Sequence, residues 1–156
     1  MGTSLTSPVT GAAQSGLTSP TYTLSVDVAP DTNGRQYAVT ALGGTQTNVL
    51  TNTPGTPFTI TIVRPKAFKT LGARSSIGLN SSFPRNNWKV IVRKSVLVDT
   101  YGQNPSQVAV ATLDIAVPAG VETADVASMR AMLSLLIGSL NQFSASFGDS
   151  LATGVM

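Results

Sequence analysis

The chain has 156 residues, enough for one domain, and a net charge of +3. Only 11% of its residues are charged, against about 25% in an average globular domain. It holds no cysteine and no histidine, which excludes disulfides, thiolate metal sites and the commonest general base.

Residues 1–20 are rich in Thr, Ser, Gly, Pro and Ala and read as a flexible arm. Residues 21–156 read as one domain, with strands across 21–117 and helices across 122–152. Thr21 to Val28 alternates apolar and polar residues, the pattern of a half-buried strand. Pro30-Asp31-Thr32-Asn33-Gly34 is turn chemistry suited to positive φ at Asn33-Gly34. Gln36 to Leu42 completes a hairpin that Gly43-Gly44 is expected to end, with one short strand near Asn48 to Leu50. Phe58 to Arg64, Asn87 to Val98 and Gln107 to Val117 are the remaining strands. A long Gly/Ser/Lys/Arg loop over 66–85 and a polar loop from Asp99 to Ser106 separate them.

The period then changes. Val126, Met129, Leu133, Leu136 and Leu140 recur at helical spacing. Thr123 is the expected N-cap, with Asp125 in the first turn. Gly138-Ser139 is the expected break before a second helix marked by Leu140, Phe143, Phe147 and Leu151. Strands followed by helices indicate an α+β fold with helices on one face of an antiparallel sheet.

Charge is unevenly placed. Between Asp31 and Asp99 no acid occurs, while nine Lys and Arg do: Arg35, Arg64, Lys66, Lys69, Arg74, Arg85, Lys89, Arg93 and Lys94. Such a block is the footprint of a polyanion binder. In the long strand Trp88, Val90 and Val92 share one face. Asn87, Lys89, Ile91 and Arg93 share the other. Phe58, Ile60 and Ile62 oppose Thr59, Thr61 and Val63. The last strand sets Ala109, Ala111, Leu113, Ile115 and Val117 against Val108, Val110, Thr112, Asp114 and Ala116. The first helix carries Met132, Leu133, Leu135, Leu136 and Ile137 around most of its circumference, too apolar for a helix with one side in water. A second copy of the chain is the economical cover.

The stretches FTITIVRP and PRNNWKVIVRK, with the strand VAVATLDIAV followed by ETADVASMRAMLSLLIGSL, resemble the coat proteins of single-stranded RNA bacteriophages. The resemblance covers residues 58–156 by motif and 21–50 by pattern. It implies an N-terminal β-hairpin, a five-stranded antiparallel sheet and two C-terminal helices that pack across a dimer partner. It also implies a homodimer, assembly into an icosahedral shell, and single-stranded RNA bound on the sheet. In many members one RNA hairpin is held as translational operator. Carried over by position, the RNA-facing residues are Thr59, Thr61, Asn87, Lys89, Arg93, Thr112 and Asp114. The dimer interface is Met132, Leu133, Leu136, Ile137 and Leu140. Two positions depart from the pattern: Val110 stands near where some relatives place a base-stacking tyrosine, and Ile91 interrupts the polar row.

Neither a P-loop, a Ser-based triad nor a metal cluster is present in the sequence, so no enzyme, cofactor or small-molecule substrate is expected. The start MGTSLTSPVTGAAQ lacks the charged and apolar regions of a signal peptide. The stretch from Ala131 to Ile137 is too short for a membrane span, which takes about 20 residues. The expected location is the virion, assembled in the bacterial host cytoplasm. The rival reading is a pilus-like or surface β-domain subunit without RNA binding. Low charge and Thr-rich strands fit it; the basic block and the two helices do not. A cellular RNA-binding regulator would not need so apolar a helix.

Overall fold

The computed structural model describes residues 3–73, 78, 82–99 and 105–156. Arg74, named above in the basic block, and residues 100–104 of the loop from Asp99 to Ser106 lie outside them. The strands are β1 (Val9–Thr10), β2 (Thr18–Asp27), β3 (Gly34–Thr45), β4 (Phe58–Val63), β5 (Arg85–Val96) and β6 (Gln107–Pro118). All pair antiparallel in one sheet whose spatial order is the sequence order. The expected hairpin and five-stranded sheet are therefore one continuous six-stranded sheet. Three helices follow: a single turn α1 (Val121–Ala124), then α2 (Val126–Gln142) and α3 (Ser144–Thr153).

Residues 3–17, whose composition set them apart as an arm, have defined partners. Val9 and Thr10 pair with Tyr22 and Thr21. The Leu5 amide donates to the Tyr37 hydroxyl at 3.4 Å and the Leu24 amide to Ser7 Oγ at 2.9 Å. Backbone donors drive this: half of β2 lies at a sheet edge, and its amides need acceptors.

The turn between β2 and β3 forms where expected but by other means. Gly34 N donates to Asp31 O at 2.9 Å, and the Asp31 carboxylate accepts from the Asn33 amide at 3.3 Å. Positive φ occurs instead at Ser19 (46°), Gly44 (72°) and Asn48 (64°). The last of these replaces the strand expected at Asn48 to Leu50 with a turn. Gly43-Gly44 does not end β3, which runs on to Thr45. The register of β2 slips between Thr18 and Thr21. There the strands close in, so a Cβ on Gly43 would strike Thr21 Oγ1 and one on Gly44 the Thr18 and Ser19 carbonyls.

The helix boundaries differ in the same local way. Asp125, not Thr123, caps the long helix, accepting from Ser128 N at 3.0 Å. Thr123 sits inside α1, its hydroxyl on the Gly120 carbonyl. Gly138-Ser139 lies within α2, where Ser139 Oγ returns its hydrogen bond to Leu135 O at 2.7 Å. The break comes at Phe143.

The largest departure is in packing. No residue of α2 or α3 is buried, and neither helix docks on its own sheet. Among the described residues the buried apolar side chains are Tyr37, Ala38, Val39 and Ala119. The accessible surface is 10969 Å², against about 7,400 Å² for a folded monomer of this mass. The chain thus exposes about 3,500 Å² beyond what a self-sufficient domain would.

Candidate nucleic-acid face and subunit interface

The pairing places the expected polar residues on one side of the sheet. Thr59 faces Ala38 and Arg93 across its two neighbouring strands; Thr61 faces Gln36 and Ile91. Lys89 lies between Val63 and Asp114, Ile91 beside Thr112, and Asn87 beside Ala116. Thr59, Thr61, Asn87, Lys89, Arg93, Thr112 and Asp114 therefore share one face, as strand alternation required.

They are not equally available. Asn87, Lys89, Thr112 and Asp114 are exposed and Arg93 is half-buried, but Thr59 and Thr61 are 7% and 1% exposed. Thr61 is a link in a chain of hydrogen bonds running across four strands. Arg93 Nη1 donates to Thr61 Oγ1 at 3.4 Å, Thr61 Oγ1 donates to Gln36 Oε1 at 2.9 Å, and Gln36 Nε2 donates to Asp27 Oδ2 at 2.7 Å. The Gln36 amide, with the Val28 backbone N–H, holds the Asp27 carboxyl below its ordinary range. Thr59 and Thr61 thus lie covered within the face, with the Thr61 hydroxyl engaged in this chain of bonds. Gln36, which the sequence reading passed over, carries the link from β4 to β2.

Lys89 Nζ and Asp114 Oδ2 are 3.1 Å apart, with side chains 46% and 43% exposed. Asp114 thus balances Lys89 rather than adding an independent contact, and a polyanion would compete with it for the ammonium. Arg93 is anchored instead on a neutral hydroxyl, that of Thr61. Thr112 and Asn87 are neutral donors and acceptors elsewhere on the same face.

The opposite side of the sheet is apolar. Val9, Tyr22, Leu24, Val39, Phe58 and Val92 surround an open cavity of about 350 Å³ there. Tyr22 and Phe58 meet edge to face at 5.7 Å. Lys94 lies 5.0 Å over the Phe58 ring, and burial pushes its ammonium below the usual lysine range. Asn86, on this side with Trp88, is 2% exposed. Its amide donates to Lys69 O at 2.9 Å and accepts from Lys69 N at 2.8 Å, pinning the long β4–β5 loop. Its signal was an amide on the apolar side of the alternation.

The helix residues expected at an interface remain uncovered. Met132, Ile137 and Leu140 are exposed by 48%, 63% and 41%, while Leu133 and Leu136 are half-buried. Leu135, Phe143, Phe147 and Leu151 extend the same exposed ridge. β6, 12 residues long, is the last strand of the sheet, and among the described residues its outer edge is unpaired. Among the described residues no group of acids could hold a metal ion, and no helix is long and apolar enough to cross a membrane.

A sheet with one polar, basic side and one open apolar side, followed by helices with no core of their own, defines a structural subunit made for association. The chain is similar to the protein of the virus-like particle of bacteriophage ESE020, at 47% identity over 99% of this chain and 100% of that one, with a TM-score of 0.95. It belongs to the levivirus-like phage coat proteins, and its role is that of a structural, non-enzymatic capsid protein. A virus-like particle of Wenzhou levi-like virus 4 matches more distantly, at 17% identity over 80% of this chain and 71% of that one, with a TM-score of 0.45. No family model matches the sequence, and no curated protein does.

Proposed function

We propose that this coat protein forms a homodimer that assembles into an icosahedral shell around single-stranded RNA. The observation that carries the reading is the helix pair without a buried residue, standing beside an open apolar sheet face and an unpaired 12-residue strand edge. Each is unstable alone, and a two-fold partner covers all three. β6 pairs with its copy across the axis, and α2 of each subunit lies on the other's apolar face through Met132, Leu133, Leu136, Ile137 and Leu140.

The polar face then lines the shell. Lys89 and Arg93 neutralise phosphates, while Asn87 and Thr112 hydrogen-bond sugar or base edges. Thr59 and Thr61 act beneath them, and Asp114 holds Lys89 until phosphate displaces it. Gripping a hairpin on this face would make the protein a translational repressor as well. Assembly takes place in the host cytoplasm, and the product is the virion.

Expression of the full chain alone in bacteria tests this, with size exclusion at 260 and 280 nm and negative-stain microscopy. Uniform shells with a nucleic-acid spectrum are expected. A small species free of nucleic acid would overturn autonomous assembly and favour a surface subunit.

A further inference from the structure

The N-terminal segment touches two parts of the molecule that otherwise scarcely meet. Residues 3–10 are tied to the sheet: Arg35 Nη1 donates to Thr3 O at 3.3 Å, and the Leu5, Ser7 and β1 contacts follow. A tight turn then runs from Gln14 to Leu17, closed by Leu17 N on Gln14 O at 3.2 Å, with Gly16 at φ 80°. This turn lies against α3. Ser144 Oγ donates to Ala13 O at 2.8 Å, and Ser15 Oγ donates to Asp149 Oδ2 at 2.8 Å.

The helix is built for this approach on one side only. Ser144, Ala145 and Gly148 are small and partly covered. A Cβ on Gly148 would run into the Gln14 side-chain amide. The other side carries Phe143, Phe147 and Leu151, exposed by 40%, 47% and 75%. The two rings are set edge to face at 5.7 Å. Small polar residues face the turn, and aromatic and aliphatic residues face away.

We infer that the segment Ala13–Ser15, which leads into this turn, is an intrachain strut that fixes the direction of α3 relative to the sheet, leaving its aromatic ridge presented for association. Since no residue of α2 or α3 is fully buried and neither helix packs extensively on its own sheet, the strut limits the freedom of the C-terminal helices before any partner arrives. That lowers the ordering cost of association. Only this last consequence rests on the dimer reading.

The chain has no cysteine, so a thiol pair gives an unambiguous report. In the full-length protein, Ser15→Cys with Asp149→Cys, treated with a short bis-thiol-reactive cross-linker, should join within one chain and give a product of single-chain mass. A two-chain product, or no cross-link, would overturn the strut. Hydrogen exchange supplies the second readout. Combining Ser15→Ala, Ser144→Ala and Asp149→Ala removes both side-chain hydrogen bonds and should speed exchange of α3 amides about tenfold, with β4 and β5 unchanged. Unchanged α3 exchange, or equal acceleration in β4 and β5, would also overturn it. A wild-type chain that stays monomeric would sink the dimer reading and leave both measurements valid.

Discussion

Asn86 shows how much one side chain can organise. Its amide reproduces both halves of a peptide pairing with Lys69, so the loop after β4 is held as though by an extra rung of the sheet. Removing it takes both partners from the backbone of Lys69, an exposed residue, and a hydrogen bond of this kind contributes about 0.5–1.5 kcal/mol. Asn86→Ala should therefore lower the unfolding free energy by that amount while leaving the sheet's circular dichroism intact. An unchanged denaturation midpoint would mean that the loop is held by something else. Asn87, one residue on, points to the opposite face and is exposed, so Asn87→Ala should leave stability nearly unchanged. A one-residue step separates a structural amide from one on the exposed polar face.

At the scale of elements, three aspartates fix where structure begins and turns. Hydrogen bonds lower all three carboxyls from the ordinary value: Asp27 through Gln36, Asp31 through the Asn33 amide, and Asp125 through the Ser128 amide. A carboxyl whose folded pKa is depressed contributes stability that is present above its unfolded pKa. That contribution is lost as pH falls through the folded value. The β2–β3 turn and the start of α2 should therefore loosen as pH drops below about 4, which far-UV circular dichroism across pH 7 to 2 would follow. Asp125→Ala should flatten the helical part of that acid transition and lower helicity at neutral pH, whereas Asp125→Asn should keep most of the cap. Equal behaviour of the two variants would show that the cap hydrogen bond is immaterial.

For the whole molecule, the surplus surface is the governing quantity. Leu136 is half-buried on the apolar stripe of α2 that includes Val126, Met129 and Leu133. Covering a leucine contributes about 1.5–3 kcal/mol, and a buried unpaired carboxylate reverses that gain. Leu136→Asp should abolish both the dimer and recovery of soluble folded protein, read by size exclusion with light scattering; a stable soluble monomer would show the interface was misassigned. Lys89→Ala with Arg93→Ala should leave assembly intact and reduce the packaged RNA, seen as a lower ratio of absorbance at 260 to 280 nm. Because Asp114 would then lack its partner, adding Asp114→Asn should restore part of the RNA content. Unchanged RNA in the double variant would remove that face from consideration.

Much of this was legible in the residues. Alternation in FTITIV and RNNWKVIVRK assigned the strands and their two faces, since side chains on a strand can point only two ways. The change to helical spacing after Pro118 located the helices, and their apolar girth announced a partner. What composition could not show was local and context-bound. A Ser/Thr/Gly/Pro-rich start reads as an arm because nothing in it shows that the edge of β2 needs donors and acceptors. Gly43-Gly44 reads as a stop because the slip in β2 that demands glycine lies twenty residues away in the chain. Alternation puts Thr59 and Thr61 on the polar side of the sheet but cannot show that both side chains are covered there. Sequence alone determined the sheet, its two faces and the need for association, because these follow from periodicity and from apolar surface that must be covered. Only the tertiary structure decided which polar residues stay exposed on that face and that the helices stand off their own sheet, because those depend on distances between segments far apart in the chain.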